Sequence, residues 1–323
     1  MWLAFLLIAV FQGVSGWNDG GNLLGLFEHA GTKARISLFL LIIGILSGPF
    51  ILGPHVAKTV GQDIIHLQHG DIHVLNEALI ATLATLLLTW LIRLPTSTSL
   101  ALIGGLIGAA WASLGIHAIH WSGFWMTILS VLLSVVFGFI AGYVGYHIER
   151  RYRHRTTSSL AFLWPRLSYA LTVLQGIAYG ANDAEKAIGL TALLLLIGHH
   201  ATKFAVTPLI VASSSAIWLL GCLLGGKRIA QTVGRAFFNL KPKHVVAIQS
   251  GAALVVIAAA MLGGPVSTTQ TSDSALFGVG RDLHHQRLHT AKVARLFVTW
   301  GLTLPVALLF GFATAWLAKL LSL

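Results

Sequence analysis

Two carboxylates in this chain stand inside sequence that is otherwise apolar. Asp19 lies in Gly16-Trp17-Asn18-Asp19-Gly20-Gly21-Asn22, and Asp183 in Gly180-Ala181-Asn182-Asp183-Ala184-Glu185-Lys186. At membrane depth a carboxylate costs about 2.5–3.5 kcal/mol on insertion scales, so such an acid marks a functional site unless it merely pairs with Lys or Arg to hold a bundle. Carboxylate and Asn oxygens, with carbonyls freed where glycine lets a helix open, form a hard-oxygen set suited to Na⁺ or to a proton relay. The candidate cation ligands are therefore Asn18, Asp19 and Asn22 in one motif and Asn182, Asp183 and Glu185 in the other. Asp19 and Asp183 are the expected metal ligands if the ion is sodium.

A second pair of motifs places hydroxyls after a proline: Pro95-Thr96-Ser97-Thr98-Ser99 and Pro265-Val266-Ser267-Thr268-Thr269-Gln270-Thr271-Ser272. Proline suits the first turn of a helix. The residues after it then present hydroxyls and unpaired N–H groups at a positive helix end, which binds anions. Two such ends, one from each half, would clamp a tetrahedral oxyanion through Thr96, Ser97, Thr98 and Ser99 on one side and Ser267, Thr268, Thr269 and Gln270 on the other. Lys186 adds a cation close by. Ser and Thr also bond helix to helix in membranes, but two runs at equivalent places argue for more than that.

The elements that must position these groups are membrane helices. The 323 residues are 56% hydrophobic and 10% charged, against about 25% charged in soluble domains. Apolar runs at 36–52, 74–92, 126–146, 204–224, 245–262 and 296–317 approach the roughly 20 residues that span a bilayer. Residues 1–16 resemble a secretory signal but lack a basic start, and are read as part of the mature protein. The lone Cys222 forms no intramolecular disulfide. No HExxH, CxxC, GxSxG or P-loop spacing occurs, so neither an enzyme nor a cofactor is expected.

The chain repeats itself. Residues 16–22 match 180–186, residues 57–61 match 230–234, and residues 95–108 match 265–278, at offsets of 164, 173 and 170. Two repeats follow, 1–155 and 156–323. The segment 53–73 holds Lys58, Asp63, Asp71 and four histidines, whereas its counterpart 225–243 holds Lys227, Arg228, Arg235, Lys241 and Lys243 without an acid. Basic segments stay cytoplasmic, so equivalent loops lie on opposite sides and the repeat is inverted. Lys33, Arg35, Arg93, the segment 149–155 and the segment 281–295 fall inside in the same scheme, with both termini outside. The net charge of +11 reads as this bias, and not as nucleic-acid binding. The fold class is an all-α integral membrane protein of two inverted repeats, with discontinuous helices, paired hairpins and about 10–12 transmembrane segments.

These four motifs together resemble the signatures of the inorganic phosphate transporter (PiT) family, GxNDxxNA-like and PxSTTH- or PxSTSH-like, each duplicated. The resemblance covers both halves. It implies a plasma-membrane transporter importing phosphate by symport with Na⁺ or H⁺, with Asp19 and Asp183 as the essential acids and the hydroxyl runs lining the phosphate site. Leu100 and Gln270 stand where the family often has histidine, Lys186 where it often has Asn, and Glu185 and Asp273 are additional acids. The alternatives are a permease for sulfate or another tetrahedral oxyanion, and a channel or scaffold without coupled transport. The expected partners are the lipid bilayer, phosphate and the coupling cation, with a homo-oligomer left open.

Overall fold

In lipid every backbone polar group must be satisfied within the protein, so sequence this apolar closes into helices. The computed structural model describes residues 1–91, 96–152, 162–234, 240–281 and 290–321. Twelve α-helices follow one another among them: α1 (Trp2–His29), α2 (Ala34–Leu52), α3 (His55–Lys58), α4 (Ile72–Leu91), α5 (Thr98–Leu114), α6 (Trp121–Tyr152), α7 (Leu163–Tyr179), α8 (Glu185–Ile197), α9 (Pro208–Gly234), α10 (Pro242–Met261), α11 (Thr268–Gly280) and α12 (Thr290–Leu321). Wider π-helical turns continue α3 over Thr59–Asp63 and join α7 to α8 over Gly180–Ala184. The described residues contain no β-strand beyond an isolated pairing of Ile65 with Ile119.

Six helices, α2, α4, α6, α9, α10 and α12, contain stretches long and apolar enough to cross a bilayer. The acid-bearing α1 and the α7–α8 rod add two long segments, and the short α5 and α11 complete a set of ten. The molecule is turned inside out relative to a soluble protein. Leu6, Phe39, Leu132, Leu209 and Leu309 are exposed, whereas Asp19, Asp183, Glu185 and Lys186 are buried.

The contacts show how the repeats fit together. Helix α1 packs along α9 and α7 along α2; α5 packs along α12 and α11 along α6. Exchanging each element for its counterpart in the other half maps this pattern onto itself. The halves therefore interlock around one core. Two helical hairpins, α4–α5 and α10–α11, enter from opposite ends and bring the starts of α5 and α11 together. Gly263, at φ +73°, lets the chain leave α10 and turn back toward α11, a conformation that favours glycine.

Opposite orientation is visible in what each end holds. At one end Lys243 bonds Glu149 at 2.7 Å and the Arg281 guanidinium lies over the Tyr143 ring at 5.3 Å. At the other, His66 N donates to Ala118 O at 2.8 Å, and Gly70 N donates to Ile197 O at 3.1 Å. Lys319 Nζ donates to Ala112 O there at 2.6 Å, and Gly198 lies against Met1. Helix α6 joins the two ends; its 32 residues span about 48 Å. The histidine-rich loop, Met1 and Lys319 thus share one face, and Lys241 and Lys243 occupy the other. The repeat boundary at residue 155, Arg93, Pro95, Arg235 and residues 282–289 lie outside the described residues, as do the side chains of Lys227 and Arg228.

Glycines make the close crossings possible. A Cβ on Gly108 of α5 would meet the Leu308 carbonyl of α12, and one on Gly278 of α11 would meet the Phe139 carbonyl of α6. Forcing a larger side chain into a packed contact costs about 1–3 kcal/mol. Gly108→Val should therefore lower the melting temperature of the detergent-purified protein, whereas the same change at Gly301, which has open space, should leave it close to the parent's. Differential scanning fluorimetry on the two variants checks this.

Candidate functional site

The starts of α5 and α11 are built alike. Ser97 and Ser267 are extended N-cap residues whose side-chain oxygens accept from the N–H groups of Leu100 and Gln270 at 3.1 and 3.4 Å. Each cap satisfies one of the four N–H groups left over at a helix start. Those of Thr98 and Ser99, and of Thr268 and Thr269, remain outside the helical ladder.

The residue after each cap binds a carboxylate. Thr98 Oγ1 donates to Asp19 Oδ2 at 2.8 Å, and Thr268 Oγ1 donates to Asp183 Oδ2 at 2.7 Å. These two bonds are counterparts, each tying a hairpin tip to the acid of its own half. Thr269 crosses over: its Oγ1 donates to Asp19 Oδ1 at 2.7 Å. Ser99 reaches the opposite way, donating to Val266 O at 2.6 Å. Asp19 also accepts from Ser15 Oγ at 3.1 Å and Asn18 Nδ2 at 3.0 Å. Four donors thus surround a carboxylate that is 1% exposed. Among the described residues no Lys, Arg or His forms an ion pair with it.

Asp183 is neutralised differently. Lys186, one turn along the same rod, places Nζ 2.5 Å from Asp183 Oδ1 and 3.3 Å from Val266 O. Both partners are essentially unexposed. A buried charge is tolerated when paired and hydrogen-bonded, and this pair meets both conditions.

The remaining predicted residues are placed less centrally. Thr96 shares a 2.6 Å hydroxyl contact with Thr303 of α12, and its carbonyl accepts from Asn18 Nδ2 at 2.9 Å. Asn182 Nδ2 donates to Gly264 O at 3.2 Å. Glu185 accepts from Ala57 N at 3.0 Å and leaves its other oxygen without a partner. Standing two residues from Asp183, it lies on a different face of the helix, and it makes no hydrogen bond to the Asp183 cluster. Gln270 is buried at the tip of α11 with its Oε1 unpaired. Asn22 lies within α1, and its side chain is outside the described set.

One expectation about the surroundings changes. Glycine was expected to open the helix beside Asp19, yet α1 stays helical through Trp2–His29. Gly16 and Gly20 instead admit α9: a Cβ there would strike the Trp218 carbonyl or the Cys222 sulfur. Only the second motif departs from α-helix, as the π-turn Gly180–Ala184. Sequence reasoning also missed Ser15, which stands four residues before Asp19 and so on the same helix face.

An inverted repeat with two helix ends and two buried acids at the interface of its halves is the plan of a secondary membrane transporter. Comparison with known proteins agrees. The model of the phosphate transporter family matches twice, over residues 15–169 and 157–311. A probable low-affinity inorganic phosphate transporter of Mycobacterium leprae is 32% identical, covering 98% of this chain and 79% of its own. One from Bacillus subtilis is 29% identical, covering 96% and 94%. A solved structure described as the sodium-dependent phosphate transporter superposes with a TM-score of 0.81 at 18% identity, covering 99% of this chain and all of that one. The chain belongs to the phosphate transporter family, whose members are transporters and not enzymes.

Among the described residues, Thr269 is the one whose hydroxyl carries the second repeat to the acid of the first. A hydrogen bond to a charged group contributes about 1.5–3 kcal/mol. Thr269→Val, which keeps the shape, should lower the unfolding free energy by that amount, as read from denaturant melts in detergent. A loss below about 0.5 kcal/mol would place the Asp19–Thr269 bond outside the network that holds the halves.

Proposed function

We propose that the protein imports inorganic phosphate across the plasma membrane by symport with sodium. The observation that carries this reading is Asp19: buried, held by four donors from α1, α5 and α11, and without an ion-pair partner among the described residues. A hydroxyl that donates to a carboxylate keeps its lone pairs, so Ser15, Thr98 and Thr269 still offer oxygens to a cation. Carboxylate and hydroxyl oxygens are a hard set that suits a hard cation. The Asn18 amide and the Thr96 carbonyl border the same place. A sodium ion there would balance the buried charge.

Phosphate is assigned to the space between the two helix starts. The Ser97 and Ser267 hydroxyls spend their lone pairs as caps and have a proton to donate. With the N–H groups of Thr98, Ser99, Thr268 and Thr269, they make a donor set of the kind found where helix ends bind anions. Thr98, Thr268 and Thr269, whose hydroxyls face the carboxylates, then link the two ions: what orders the carboxylates also sets the first turns that hold phosphate. An anion beside unpaired carboxylates is repelled strongly in a low-dielectric site. Cation and phosphate therefore bind with mutual dependence, by the same factor in each direction.

The arrangement in the membrane follows from charge. The end with Lys33, Arg35, Arg150, Arg151, Lys241, Lys243 and Arg281 is the more basic and is assigned to the cytoplasm. The histidine-rich loop and both termini then face outside. Cysteines introduced singly at His69 and Lys241 should react with an impermeant maleimide from opposite sides; labelling of both from one side would sink this orientation.

The function is tested in proteoliposomes with labelled phosphate. The parent should concentrate phosphate under an inward sodium gradient, and Asp19→Asn should abolish that uptake while keeping the fold. Ser97→Ala should weaken phosphate binding about ten- to a hundredfold, from one lost bond to a charged ligand, and Ser97→Thr should restore most of it. Concentrative uptake with unaltered sodium dependence in Asp19→Asn would refute the mechanism.

A further inference from the structure

The two halves are equivalent in sequence and packing, yet their acids are compensated differently, and this difference carries a consequence for coupling. At Oδ2 they match, with Thr98 on Asp19 and Thr268 on Asp183. At Oδ1 they part. Asp19 Oδ1 accepts from two neutral groups, Asn18 and Thr269, whereas Asp183 Oδ1 accepts from the Lys186 ammonium. By repeat symmetry Ser99, the counterpart of Thr269, would be the group to reach Asp183. It instead donates to Val266 O, the carbonyl that Lys186 Nζ also bonds. The ammonium thus stands on the second carboxylate at the position that, in the first half, receives the crossing hydroxyl.

We infer that Lys186 is a built-in counter-cation taking the place of a second coupling ion, so that one exchangeable sodium, at Asp19, accompanies each phosphate. The inference rests on the symport reading above. An ammonium held by a covalent tether gives Asp183 the charge balance that a bound ion would give, but it cannot leave with the cargo. Its sequence counterpart is the neutral Asn22, so the first half has no such tether at the equivalent position. Nζ has three protons, of which Asp183 Oδ1 and Val266 O take two. Val266 immediately precedes the cap Ser267, so the third proton is held close to the turn assigned to phosphate. Lys186 would then neutralise Asp183 and add a fixed positive charge beside the anion. A pair serving only to hold the bundle would leave the count of transported ions untouched.

Sodium dependence separates these roles. In the parent, the slope of phosphate uptake against sodium should be about one on a Hill plot. Lys186→Asn, which places in the second repeat the residue of the first, frees Asp183 for an ion: the slope should rise to about two, and the melting temperature should become sodium-dependent. A folded Lys186→Asn protein with the parent's slope and a sodium-indifferent melting temperature would overturn the inference, as would a slope of about two in the parent. If Lys186→Asn alone does not fold, isothermal titration of sodium into the parent with phosphate bound decides: one sodium site per protein is expected, and two would overturn the inference. Uptake by the parent that ignores sodium altogether would instead overturn the symport reading; the sodium dependence of the Lys186→Asn melting temperature would then still decide whether Lys186 takes an ion's place.

Discussion

A carboxylate buried where there is no water must be surrounded by donors or cations, and the structure is organised around meeting that requirement twice. Asp19 and Asp183 each sit in the middle of a long segment, where an unpaired charge is expensive. Every element near them contributes something to the solution. The hairpin α4–α5 brings Thr98, α10–α11 brings Thr268 and Thr269, and α1 supplies Ser15 and Asn18 from its own adjacent turns. The close helix crossings at Gly16, Gly20, Gly108 and Gly278 hold these hydroxyls within bonding distance of the acids. Packing and charge compensation are the same problem here, since a loosened crossing would withdraw a donor from a buried anion.

The same arrangement explains how two ions of opposite charge could be handled by one small region. Each hairpin helix starts with a serine that caps the helix and a threonine that grips a carboxylate. The acid and the helix start are consecutive links in a chain of bonds only one residue long. An anion at the helix starts and a cation at the acid would therefore each stabilise the geometry the other needs. The cross-over bonds from Thr269 to Asp19 and from Ser99 to Val266 O extend this dependence between the halves, whose relative movement would have to break them. Inverted repeats that rock about a central site are a recurrent solution to alternating access, and these two bonds are natural points of release.

Much of this was legible in the sequence because the chain states its key features twice. The paired Asn-Asp motifs and hydroxyl runs identified the residues that meet at the centre, and the charge contrast between 53–73 and 225–243 gave the opposite orientation of the halves. Partner choice was not legible. Thr98, Thr268 and Thr269 read as anion donors because they follow a helix start, but a one-dimensional pattern does not show that the nearest acceptor is a carboxylate from another segment. The glycines beside Asp19 were read as places for a helix to open; their use in admitting α9 depends on a neighbour some 200 residues away. Glu185 was read with the acids of the site by proximity in sequence; that it accepts from Ala57 N, on a segment 128 residues away, was not legible there. Ser15 was hidden in a stretch resembling a signal peptide, although its spacing from Asp19 was the signal that could have found it.

The central claim is that cation and phosphate depend on each other through Asp19. Isothermal titration of the purified protein tests it most directly: phosphate affinity measured with and without sodium, and sodium affinity measured with and without phosphate. The account predicts that each ligand tightens the other by the same factor, and that Asp19→Asn removes the effect of sodium on phosphate. Phosphate binding of equal strength in sodium and in a sodium-free buffer would contradict it.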